Sequence, residues 1–147
     1  MSVQQTIEQR IRGSFERQQF MTMLGARLDA VRDGEVEIVL PFSPSLTQQH
    51  GFIHAGAVTT IVDTACGFAA LTKMPANAAV LTAEFKLNLM SPAKGERLRA
   101  RGRVVRAGKT LMVCLGEVFA EEGGQSKQVA LVTATMMVVD TGTGLKD

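Results

Sequence analysis

The chain has no tryptophan and no tyrosine, and phenylalanine, present seven times in 147 residues, is its only aromatic. Nucleic-acid binders need aromatic platforms for bases or a strongly basic field for phosphates. The net charge is only +2, so nucleic acid is not the expected partner. Cysteine is scarce as well. Cys66 and Cys114 lie far apart in apolar surroundings, which is neither a disulfide framework nor a zinc pattern. The two histidines, His50 and His54, have no metal-ligand spacing to cysteine or acid, so no metal is expected. No Gly-x-Ser-x-Gly elbow is present to raise a serine nucleophile. No apolar run is long enough for a bilayer, and the opening MSVQQTIEQRIRGSF lacks an apolar signal core. The expectation is a cytoplasmic protein without membrane contact.

What is present suits one domain over residues 1–147. Apolar residues make up 46% and charged residues 20%, enough for a sizeable core. Val3, Ile7, Ile11, Phe15 and Phe20 recur mostly every four residues and predict an N-terminal helix over 1–20, a packing helix or a lid. Asp33-Gly34 marks a hairpin, with Val36, Ile38 and Leu40 alternating after it. A polar loop over 43–53 leads into an Ala-rich apolar helix over 55–72, which MPAN then breaks. Four strand-like runs follow. In the first, Leu81, Ala83, Phe85, Leu87 and Leu89 share one face, and Thr82, Glu84, Lys86 and Asn88 the other. In the second, Arg97, Arg99, Arg101 and Arg103 form a row. The order predicts an α+β fold in which a curved antiparallel sheet wraps one long helix. One helix cannot cover both faces of such a sheet, so an oligomer is expected.

The central helix carries an anomaly. Between Ile38 and Thr72 the only Asp, Glu, Lys or Arg is Asp63. A lone carboxylate in apolar surroundings costs several kcal/mol unless it is paired or hydrogen-bonded. On a helical wheel Val58, Ile61, Val62, Ala65, Phe68 and Ala69 form the apolar face. Gly56, Thr59, Thr60, Asp63, Cys66, Gly67 and Ala70 share the opposite, small-residue side. At the helix start, near His54 and Gly56, backbone N–H groups lack intrahelical partners and favour negative charge. A carboxylate two turns beyond such a cradle supplies parts for hydrolysing an activated acyl group. A thioester suits this sparse site, because a thiol of pKa about 8.5 leaves without much acid assistance.

HGFIHAGAVTTIVDTACG, followed by AEFKLNLMSPAKGERLRARGRVVRAGKT, resembles the hotdog-fold acyl-CoA thioesterases of the phenylacetate-degradation (PaaI-like) type. The similarity runs from about residue 20 to 140. Its specific element is a His-x-Gly helix opening with an Asp nine residues after the His. The resemblance implies a sheet wrapped round one helix, and a homodimer with sites between subunits, assembled into a homotetramer. By position it makes Asp63 the general base or nucleophile. The Ala55 N–H would be the oxyanion donor, with Gln48 beside the carbonyl. Thr82 would help hold the water, across the dimer from Asp63. Relatives often carry Gly where Ala55 stands and Asn where Gln48 stands.

Other readings attach to the same residues. His54 either fixes the helix start or joins Gly56 in contacting substrate, and His50 is a loop residue. Arg97, Arg99 and Lys109 are candidates for the phosphates of coenzyme A, or solvated surface. No separate cofactor is expected, since coenzyme A enters with the substrate. The competing functions on this scaffold are a non-catalytic acyl-CoA-binding module and an enoyl-CoA hydratase.

Overall fold

The computed structural model describes residues 1–140, Gly142, Gly144, Leu145 and Asp147. Helix α1 (Val3–Glu16) opens with a capping box, in which the Ser2 hydroxyl accepts from the Gln5 N–H and the Gln5 side chain accepts from the Ser2 N–H. The helix expected over 1–20 divides here. Arg17 and Gln18 donate to the Ser14 and Phe15 carbonyls, Gln18 turns extended at ψ 97°, and α2 (Gln19–Leu24) begins anew. Gly25, at φ 80°, ends α2 in the left-handed conformation that glycine tolerates best. The hairpin forms as expected, from β1 (Arg27–Arg32) and β2 (Glu35–Pro41), with Gly34 at φ 82° in its turn.

A loop with one 3-10 turn at Pro44–Leu46 leads to α3 (Ala55–Leu71), the long central helix. The strands β3 (Ala79–Leu89), β4 (Arg97–Ala107), β5 (Leu111–Glu122) and β6 (Gln125–Val139) complete the chain. All six strands form one antiparallel sheet in the order β1-β2-β4-β5-β6-β3. Helix α3 packs across it from β2 to β3. The inner face of the sheet supplies Ile38, Leu40, Leu98, Ala100, Met112, Cys114, Val118, Val132, Ala134 and Met136, all buried against the helix. Burying an Ile or Leu side chain stabilises by about 1.5–3 kcal/mol, so this layer dominates the favourable term.

Two glycines let the helix approach closely. A Cβ on Gly102 would lie 2.4 Å from the Ala65 carbonyl carbon and the Cys66 nitrogen, and one on Gly116 would lie 2.5 Å from Val62 Cγ2. The helical wheel is corrected by this packing. Cys66, Gly67 and Ala70 are buried along with the expected apolar face, because α3 is enclosed all round from Ala65 to Leu71. Only its first half keeps an accessible side.

The carbonyls at the C-terminal end of α3 need partners that Pro75, with no N–H, does not supply. Arg10 of α1 provides them. Its guanidinium donates to the carbonyls of Leu71, Met74, Pro75 and Ala78. Phe15 meets Phe68 at 6.1 Å between ring centres, so α1 is clamped to α3 by one polar and one apolar contact.

On the outer face the arginine row is not free. Arg97 and Arg99 both contact Glu121, Arg99 reaches Asp29, and Arg101 reaches Glu35 and the buried Glu37. Arg32 contacts Glu35 and Glu37 as well, which makes an ion-pair ladder across β1, β2, β4 and β5.

Candidate active site

Helix α3 begins where His54 caps it. The His54 Nδ1 accepts the Gly56 N–H at 2.7 Å, and the His54 carbonyl accepts from Ala57 and Val58. An accepting Nδ1 in a neutral ring places the proton on Nε2. His54 is therefore the structural cap of the helix start, one of its two expected roles, and it keeps an exposed N–H for other partners. Gly56 suits this arrangement, because a Cβ there would come within 3.0 Å of the His54 ring.

The cap leaves one donor over. The Gly56, Ala57 and Val58 N–H groups are all taken, while the Ala55 N–H has no partner among the described residues. Ala55 borders an open cavity of about 530 Å³ with Gln48, Phe52, His54, Val58, Leu89, Met90 and Val129 among its walls. Gln48 is half-buried there. Its Oε1 accepts from the His50 and Phe52 N–H groups, which fastens the 48–52 turn and leaves the side-chain N–H₂ unclaimed among the described residues. The loop-fastening oxygen and the free amide sit on one side chain, so both roles expected for Gln48 are compatible. His50 is exposed in the loop and does not border the cavity.

Asp63 lies two turns on, half-buried, beside a second and smaller cavity of about 110 Å³. Gln18, Thr64, Thr82 and Asp147 give this cavity polar walls, and Phe68 and Val80 close it. The Thr82 hydroxyl donates to Asp63 Oδ1 at 2.8 Å. Burial raises the Asp63 carboxyl above the ordinary Asp value, and the Thr82 hydrogen bond pulls it partly back. The carboxylate is thus a stronger base than an exposed one.

This geometry corrects the expectation that Thr82 meets Asp63 across a dimer: the two bond within one chain. The cause is a β-bulge. Thr82 pairs with Met136 and Glu84 with Thr135, so Ala83 is an extra residue and the strand's alternation flips there. Thr82 joins Phe85, Leu87 and Leu89 on the inner face, whereas Leu81 points outward with Met137. The single-face assignment of Leu81 to Leu89 is corrected for the same reason.

The remaining candidates lie elsewhere. Arg97 and Arg99 border neither cavity and are held in the outer ladder. Lys109 is exposed in the β4–β5 turn, outside both cavities. Burial pushes the Cys66 thiol well above its ordinary value and Cys114 up to about 11, so neither is a ready nucleophile. No group of three or more His, Cys, Asp or Glu able to hold a metal occurs among the described residues. No helix among them is long and apolar enough to cross a membrane. Gln18 escaped the sequence reading. The one signal for it was the five-residue step from Phe15 to Phe20, where a continuous helix keeps to three or four.

An open antiparallel sheet wrapped on one buried helix, with a polarised helix start at one end and a carboxylate midway, is the hotdog architecture of thioesterases. Residues 50–127 match the model of the Thioesterase superfamily, and the chain belongs to that family. A thioesterase family protein from Silicibacter pomeroyi is 47% identical in sequence. It superposes with a TM-score of 0.89 over 91% of this chain and 98% of that one. The Escherichia coli PaaI protein, from the phenylacetic acid degradation operon, is 19% identical and shares the fold, with a TM-score of 0.85 over 94% of this chain and 96% of that one. A Halobacterium salinarum protein named as a candidate esterase is 34% identical over 98 residues, which is 63% of this chain and 64% of that relative. That match spans a little under two thirds of the relative's own length.

Proposed function

We propose that the protein hydrolyses acyl-CoA thioesters to a free acid and coenzyme A, with Asp63 as general base. The observation that carries this reading is the Asp63–Thr82 pair. It is the one charged group of α3, made more basic by burial, oriented by a hydroxyl and open to a small polar cavity. In the reaction Asp63 takes a proton from water as the water oxygen attacks the thioester carbon. The Ala55 N–H and the Gln48 amide receive the developing oxyanion. The C–S bond then breaks, and the departing thiolate takes the proton back from Asp63. Each oxyanion donor of this kind is typically worth about 3 kcal/mol. Coenzyme A enters as part of the substrate, and no separate cofactor is needed.

The two halves of this site do not meet in one chain. Ala55 and Asp63 are eight residues apart on one helix, which is about 12 Å along its axis. One carbonyl carbon cannot be within reach of both. A two-fold pairing that sets two α3 helices antiparallel brings the Ala55 end of one copy beside Asp63 of the other. The sheet ends in β3, an edge strand of 11 residues with exposed Phe85 and Leu89, which suits such a pairing. The functional unit in this reading is a homodimer, further paired into a tetramer.

The test is release of free thiol from a panel of acyl-CoAs, acetyl to long-chain and phenylacetyl, by wild type and Asp63→Asn. General-base help is worth about 10²–10⁴-fold, so Asp63→Asn is expected to lose at least about 100-fold in kcat with its fold intact. A near-normal kcat removes Asp63 from the chemistry. Tight acyl-CoA binding without thiol release by wild type would mark a binding module, and loss of enoyl absorbance without thiol release a hydratase.

A further inference from the structure

The cavity beside Asp63 has a wall that the helix-and-strand motif does not explain. Thr82 occupies Oδ1 of Asp63, while Oδ2 has no hydrogen-bond partner among the described residues. Gln18 faces the same space from the break between α1 and α2. It stands at the N-cap of α2, where a side chain usually accepts from the next turn, yet its side chain makes no cap hydrogen bond. Its carboxamide has no other partner among the described residues, although the residue is half-buried. A water's share of liquid volume is about 30 Å³, so the cavity of about 110 Å³ has room for roughly three.

We infer that Gln18 is a positioning residue for the hydrolytic water, its carboxamide N–H₂ holding that water against Oδ2 of Asp63. The inference rests on the thioesterase reading and deepens it. A base that leaves its water free to tumble loses orientation, and two fixed contacts, Oδ2 and an amide, define the direction of attack. The helix break thereby has a use. Continued through residues 17 and 18, α1 would carry the backbone of Gln18 along its axis instead of turning it extended beside α3. Two other titratable groups face Asp63. Asp147 lies in the same cavity, with its carboxylate accepting the Val80 N–H, and Cys66 lies one turn along the helix. Arg10 is the positive group near Asp147.

The test compares Gln18→Leu, Gln18→Asn and Asp63→Asn, using the acyl-CoA that wild type turns over fastest. Hydrogen bonds to charged groups set the scale, so Gln18→Leu is expected to lower kcat about tenfold with KM within about twofold. Loss of the amide also removes support for the ionised carboxylate, so the acid limb of the kcat profile is expected to move to higher pH. Gln18→Asn is the folding control. Asn is a better N-cap than Gln, so its melting temperature should hold or rise, while its shorter amide loses the water and lowers kcat similarly. A normal kcat and an unmoved acid limb in Gln18→Leu, with Asp63→Asn inactive, overturns the role of Gln18 alone. A kcat that falls only in step with melting temperature, the limb unmoved, shows a merely structural residue and overturns it too. Full activity in Asp63→Asn overturns the thioesterase site itself, and the Gln18 inference with it.

Discussion

Gly102→Ala tests the fold and the site together. The added Cβ would lie 2.4 Å from the Ala65 carbonyl carbon and the Cys66 nitrogen, and 2.5 Å from the Ala65 oxygen. These are backbone atoms of a helix in the middle of the core, so no side chain can swing aside. Ordinary contact needs at least 3.4 Å, and helix and sheet must part by about 1 Å to reach it. Overpacking typically costs 1–3 kcal/mol, and a clash with helix backbone belongs at the upper end, about 3 kcal/mol. At roughly 2–4 °C per kcal/mol for a chain of this length, the melting temperature should fall by about 10 °C. A 1 Å displacement of α3 would also stretch the 2.8 Å Thr82–Asp63 hydrogen bond beyond useful length, so kcat should fall with it. Scanning calorimetry and thiol release read the two effects. Gly13→Ala is the control: a Cβ there meets only Arg17 Nη1 at 3.8 Å, inside a helix where Ala is favoured by about 0.5–1 kcal/mol. That variant should melt about 2 °C higher. A Gly102→Ala protein that melts with the wild type would refute the close-packing argument.

The other expectations are briefer. Arg10→Met removes the donor to four carbonyls and should cost about 2 kcal/mol in denaturant unfolding, with Arg10→Lys intermediate because an ammonium cannot span them. Asp63→Asn should be more stable than wild type at pH 7. The folded carboxyl titrates above the ordinary 3.8, so its charge costs stability once pH rises through the folded value and nothing below the unfolded one. The gain in melting temperature should therefore vanish toward pH 3. Arg99→Gln should leave KM for acyl-CoA within about twofold and lower stability by no more than about 1 kcal/mol, since its partners Asp29 and Glu121 are a partly exposed network. A tenfold rise in KM would return Arg99 to the coenzyme site.

Elements with strong local signals were legible in the chain. Asp33-Gly34 set the hairpin, Ala-rich periodicity set α3, and alternation set the strands. Asp63 stood out because burial of a lone charge is costly wherever it occurs. What stayed hidden depends on single-residue irregularities. Nothing in TAEFK marks Ala83 as a bulge, yet that one extra residue decides which face Thr82 occupies and hence that it reaches Asp63 in its own chain. The arginine row was legible as a row. Its occupancy was not, because Asp29, Glu35, Glu37 and Glu121 come from three other strands. Gln18 and Arg10 act on residues far along the chain, and periodicity carries no information about such partners.

The helix itself sets the strongest constraint on the mechanism. α3 is rigid and buried, so the spacing of about 12 Å between Ala55 and Asp63 is fixed. If each site takes its oxyanion donor from one copy and its base from the other, two inactive variants should complement. Ala55→Pro deletes the N–H at the first helical position, where proline fits well. The Ala55 N–H has no partner among the described residues, and His54 already sits at φ −59°, ψ 139°, as a residue before proline prefers. The fold should therefore survive while the donor is lost. Asp63→Asn deletes the base. In a mixed dimer, one site combines the intact Ala55 of the Asp63→Asn chain with the intact Asp63 of the Ala55→Pro chain. The other site carries both defects. Random pairing of equal amounts makes about half the dimers mixed, each with one working site of two, so activity should recover to about a quarter of wild type. Unfolding and refolding the two variants together, then separately, supplies the comparison. If base and donor acted from one chain, every chain in the mixture would lack one of them, and no activity would return.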